Sequence, residues 1–138
     1  NIELFVYRYK LLLMQVMSYH YNRENAYHMF MLGLCATLRN IYIVKSNLEV
    51  GLGRSDIILI PKDKKYHPII MEFKATGKED AEKAEINEEK LETLVDEAIK
   101  QIKDKKYYKV FEGQGFKDIL LMGIGHHKKQ CIVKTEFI

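Results

Sequence analysis

The chain has 138 residues, of which 47% are apolar and 30% charged, and a formal net charge of +3. Those values fit one domain with a single core and exclude a histone-like polycation. No basic-then-apolar leader and no uninterrupted apolar span of membrane length is visible, so no membrane partner is expected.

In chain order, residues 3–19 ("ELFVYRYKLLLMQVMSY") and 24–39 ("ENAYHMFMLGLCATLR") read as helices. The second is apolar almost all round, which predicts a buried central helix, with Asn22 as its N-cap. Because the chain starts at Asn1 and not at Met, residues 1–20 are expected to be a helix or linker from a missing upstream region, and 21–138 the domain proper. "IYIVKSNLEV" reads as a strand or edge segment, broken by "GLGR" at 51–54. Two β-type runs follow, "DIILI" at 56–60 and "PIIMEFKA" at 68–75. Their polar connection is bracketed by Pro61 and Pro68, as in a hairpin.

Residues 76–90 are charged and poor in large apolar side chains, which predicts an exposed, mobile loop. A helix from about Glu89 to Lys106 carries Leu91, Leu94, Val95, Ala98, Ile99 and Ile102 on one face. "DILLMGIG" and "QCIVKTEF" then read as strands around the "HHKK" turn. The order α, α, β, β, β, α, β, β predicts an α/β fold with a central mixed β-sheet flanked by helices. Cys35 and Cys131 are too few and too far apart for a disulfide framework or a zinc site. They read as reduced core residues of an intracellular, cytoplasmic protein. Lysines cluster at 62–65, 103–106 and 126–129, a pattern that fits solvated charges and an anion-binding surface equally.

The charged ends of the hairpin strands carry the chemistry. With the turn centred midway through the connection, facing residue numbers sum to about 129, which sets Asp56 opposite Phe73, one position from Glu72 and Lys74. Side-chain alternation puts Glu72 and Lys74 on one face. A register shift of one would bring Asp56 directly across from either. Two carboxylates and an ammonium so placed suit a hard divalent cation that keeps several waters and accepts phosphate oxygens. Such a cation serves water attack on a phosphate, and a nearby lysine can orient the water. The same residues would equally make a Glu72–Lys74 salt bridge beside a plain turn residue, and the spacing leaves both open.

"GRSDIILIP", "IIMEFKA" and "AIKQIKDKKYY", in that order, resemble the PD-(D/E)XK nuclease superfamily. More closely, they resemble the bacterial group whose nuclease-like domain follows an AAA-ATPase-like domain. The resemblance covers roughly residues 21–134. "ENAYHMFMLGL" is similar to that group's early helix, "NLEVGLGRSD" to its approach to the first catalytic strand, and "GIGHHKKQCIV" to its closing hairpin. It implies a restriction-endonuclease-like core and a metal-dependent nuclease that hydrolyses phosphodiester bonds of DNA (or RNA). Asp56 and Glu72 would ligate Mg²⁺ or Mn²⁺, and Lys74 would position the attacking water. Ser55 stands where the superfamily's name has proline.

Glu24 matches an acidic residue of the first core helix that can complete the metal site, although an acid in a first helical turn also suits the helix dipole. Gln101 matches a helix glutamine and lies at the border of the apolar face, either over the site or on the surface. Tyr107 and Tyr108 read as packing and cap residues. Arg54 reads as a phosphate contact or a solvated charge. His126 and His127, adjacent on a strand, point apart and so make no metal pair. The resemblance further implies nucleic acid as partner, an upstream ATPase-like domain and pairing into a homodimer. The competing expectation is a non-catalytic nucleic-acid-binding or partner-docking module of the same fold within a larger ATPase or toxin protein.

Overall fold

The run Ile57–Ile58–Leu59 has no exposed side chain, so its strand is covered on both faces. The computed structural model that shows this describes residues 2–16, 24–116 and 118–138, without the side chains of Glu24, Asn25, Leu48, Glu49 and Val50. The five strands are β1 (Tyr42–Val50), β2 (Gly53–Pro61), β3 (Ile69–Ala75), β4 (Leu120–His127) and β5 (Gln130–Phe137). They lie side by side in chain order. β3 and β4 are parallel and the other pairings antiparallel, so the sheet is mixed, as expected. The parallel step requires a crossover, supplied by helix α3 (Glu88–Asp104).

Alternation along the strands sorts the core into two layers. Ile57, Leu59, Met71, Phe73, Met122 and Ile124 face α1 (Ile2–Val16) and α2 (Glu24–Cys35), which add Tyr9, Leu13, Tyr27, Met31 and Cys35. Ile58, Ile70 and Leu121 face the other way, against Ile102 of α3 and Tyr107 and Phe111 of the 3-10 segment after it. The architecture is that of an α/β restriction-endonuclease-like core. α3 buries Leu91, Val95, Ala98 and Ile102, and its N-cap Asn87 accepts a hydrogen bond from the Glu89 N–H at 2.7 Å. It sits close on β4 because Gly123 and Gly125 face it. A Cβ on Gly123 would lie 2.9 Å from the Val95 carbonyl oxygen, and one on Gly125 would lie 2.8 Å from Val95 Cγ2.

Three local expectations change. α2 is buried on one side only: Tyr27, His28, Met31 and Cys35 are covered, while Met29 is 60% exposed, and residues 36–38 tighten into a 3-10 turn. Asn22 lies outside the described residues. Residues 76–90 are tied down, not loose. Asp80 is buried between Lys83 and Lys90, Ile86 and Gln130 exchange two hydrogen bonds, and the His127 ring meets the Lys83 carbonyl at 2.6 Å. Their charges are spent on one another, and main-chain groups of Lys83 and Ile86 meet His127 and Gln130, which lie far away in sequence. Of the lysine clusters, 62–65 and 103–106 are exposed, but "HHKK" is the closed β4–β5 turn, with His126, His127 and Lys128 buried. Both cysteines are free thiols; burial pushes each up to about 12, as core residues require.

An apolar cavity of about 370 Å³ lies between α1, the 3-10 turn and the sheet, lined in part by Phe5, Leu38, Leu59, Met71 and Met122. It belongs to the α1–α2 side and contains none of the acids discussed next. No helix among the described residues is long and apolar enough to cross a membrane.

Candidate active site

β2 and β3 pair Ile57 with Met71, Ile58 with Ile70 and Leu59 with Ile69. Facing numbers therefore sum to 128, not 129, and the one-residue difference carries Asp56 across from Glu72. The ladder stops there. The Asp56 N–H donates to Glu72 Oε1 at 3.2 Å, and the Phe73 N–H donates to Asp56 Oδ2 at 2.8 Å. Each acid thus caps a main-chain donor of the opposite strand. β1 passes over the same residue, pairing Ser46 with Ile57 and then Leu48 with Ser55, while Asn47 takes a left-handed φ of 52°. Asparagine tolerates that conformation better than most residues.

From the α3 side, Gln101 leans over the acids. Its Oε1 accepts from Lys74 Nζ at 2.6 Å, and its Nε2 donates to Glu72 Oε2 and to the Tyr107 hydroxyl at 3.1 Å. The amide is oriented by its neighbours, oxygen toward the ammonium and nitrogen toward the carboxylate. Lys74 gives its hydrogen bond to Gln101 and not to Glu72, so the expected alternative of a simple strand salt bridge is not what forms. Tyr107 is buried and packs against Gly53, as a packing residue should, yet its hydroxyl also belongs to this network.

From the α2 side comes a residue that the sequence reading missed. His28, 7% exposed, places Nδ1 3.7 Å from Asp56 Oδ1 and Nε2 2.7 Å from Ser46 Oγ, with its ring 5.6 Å from that of Phe73. The available signal was its spacing, one helical turn beyond Glu24. The Glu24 side chain itself lies outside the described ones, and Arg54 is exposed at the rim.

Electrostatically, Glu72 is the strained member. Burial, and then the hydrogen bond and charge of Asp56, push its carboxyl up to about 9; the Asp56 N–H and the Lys74 charge pull back. Two carboxylates forced together in a covered site are a donor set that a cation would relieve. All-oxygen donors match Mg²⁺ or Mn²⁺, and two carboxylates suffice for a cation that keeps water and takes phosphate oxygens. No group of three or more His, Cys, Asp or Glu among the described residues could hold a metal ion. The two carboxylates alone would hold a cation only with water and substrate completing its shell.

The two histidines of β4 do point apart. His126 meets the Tyr9 hydroxyl at 2.6 Å and stacks on Tyr27 with centroids 3.9 Å apart. His127 bonds to Thr76 Oγ1 and to the Lys83 carbonyl.

A family model described as the PD-(D/E)XK nuclease superfamily matches residues 22–136. No curated protein and no solved structure matches the chain.

Proposed function

Because the chain belongs to the PD-(D/E)XK nuclease superfamily, we propose that it hydrolyses phosphodiester bonds of DNA or RNA with Mg²⁺ or Mn²⁺ at Asp56 and Glu72. The observation that supports this most is the meeting of Asp56, Glu72 and Lys74 under Gln101 at one end of the β2–β3 pair. When bound, the cation would neutralise phosphate charge and ease ionisation of the attacking water. Glu72 must give up its proton to serve as a ligand; burial and the Asp56 carboxylate hold that proton on, while the Asp56 N–H and the Lys74 charge favour its release. Lys74 has three donors and Gln101 takes one, leaving two for the water and a phosphate oxygen. The exposed lysines at 62–65 and 103–106 would supply sequence-independent phosphate contacts.

The test uses end-labelled single- and double-stranded DNA and RNA in Mg²⁺, Mn²⁺ or EDTA, with the wild type and Asp56→Asn. The amide keeps an acceptor for the Phe73 N–H, so the variant should fold. Cleavage that needs the metal and disappears in the variant is the expected result. No cleavage by the folded wild type with either metal would overturn it in favour of a binding or docking module.

A further inference from the structure

The hydrolysis scheme gives His28 no task, yet it is buried beside Asp56 and hydrogen-bonded to Ser46. We propose that His28, locked by Ser46, is a positioning residue that fixes Oδ1 of Asp56 in the orientation in which it meets the cation. The inference rests on reading Asp56 as a metal ligand. Asp56 Oδ2 is already tied to the Phe73 N–H, and a carboxylate tied at one oxygen can still pivot about that bond. Oδ1 is the oxygen that pivoting would misplace, and it is the one that His28 Nδ1 approaches, at 3.7 Å.

His28 cannot itself drift. Its Nε2 is 2.7 Å from Ser46 Oγ on β1, its ring lies against Phe73, and α2 carries it into a covered position. A site holds its geometry when the groups that orient its ligands are themselves locked. Facing a carboxylate, Nδ1 carries the hydrogen, so Nε2 accepts from the Ser46 hydroxyl; the tautomer is assigned from these partners. The 3.7 Å contact is longer than a hydrogen bond. Contacts of this kind tighten when a site is loaded.

The experiment reads Mn²⁺ binding by electron paramagnetic resonance, without nucleic acid, alongside a thermal melt. His28→Ala should weaken Mn²⁺ binding about 10–100-fold, the usual effect of removing a group that orients a ligand. His28→Asn, whose amide N–H falls near the position of Nδ1, should recover most of the affinity. Ser46→Ala should lose affinity in the same direction, but less. Affinity in His28→Ala within about threefold of wild type would overturn the inference while leaving the metal site standing. Nitrogen coupling on bound Mn²⁺ would also overturn it, because it would make His28 a ligand and not a positioning residue. No Mn²⁺ binding by the wild type would instead remove the reading of Asp56 as a ligand, and this inference with it.

Discussion

His126 sets a pH limit on the folded state. Its ring is fully buried, stacked on Tyr27 and bonded to Tyr9; burial brings its pKa from 6.5 down to about 3, with the Lys74 main chain opposing slightly. The folded protein therefore keeps His126 neutral, while the unfolded chain takes up a proton below its ordinary pKa. With the unfolded state binding more protons, stability falls as pH falls: the contribution is complete above 6.5 and lost progressively toward 3. Between about pH 7.5 and pH 5 the loss from this one group is ~2 kcal/mol. With a slope of about 2 kcal/mol per molar urea, that moves the urea midpoint by about 1 M. Other groups titrate over the same range, so the informative quantity is the wild type minus His126→Gln, which keeps an acceptor for the Tyr9 hydroxyl but no titratable ring. Urea unfolding followed by circular dichroism at several pH values measures it. A difference that stays constant with pH would refute the reasoning.

Gly51 has a φ of +55°, and a Cβ there would lie 2.4 Å from the Lys105 and Lys106 carbonyl oxygens, beside the Leu52 N–H to Lys105 bond. Gly51→Ala should cost about 2–3 kcal/mol, read as a drop in Tm of about 10 °C. Lys74→Met should lower cleavage by about 10²–10³-fold even at saturating metal, because the donors left over from Gln101 are lost; turnover measured across a metal titration checks it. Asp56→Ala should be less stable than Asp56→Asn by about 1–3 kcal/mol, the cost of a stranded Phe73 N–H, measured by urea unfolding. Nucleic-acid affinity should fall steeply with salt, linearly on a log–log plot, if the exposed lysines meet phosphates.

Much of the fold was legible because it is written in short-range periodicity. The α3 stripe from Leu91 to Ile102 fixes an element and its buried side, and the unbroken apolar runs Ile57–Leu59 and Ile69–Met71 mark strands covered on both faces. The register was missed by one, because symmetry about the connection's midpoint was assumed. β2 also starts earlier than its apolar run suggests: Gly53 and Arg54 pair with Val50 and Glu49, and Gly51 and Leu52 alone make the turn between. Residues 76–90 are composed like a loose loop, and what holds them, Gln130 and His127, is more than 40 positions away. At the site, Asp56, Glu72, Lys74 and Gln101 could be named from spacing and resemblance. His28 could not, because its role depends on Ser46 and Asp56 arriving from two other strands.

The way the β2–β3 ladder ends has a consequence for reading any relative of this chain. Asp56 and Glu72 each satisfy a main-chain donor on the opposite strand, so folding alone gives a reason to keep a side-chain acceptor at both positions. A relative that bound no metal would still be held to an acceptor at both positions by its own backbone. No main-chain donor depends on the Lys74 ammonium, whose bond runs to another side chain. Across such relatives an acceptor at each position marks architecture, and the lysine is the letter that the backbone leaves free to change.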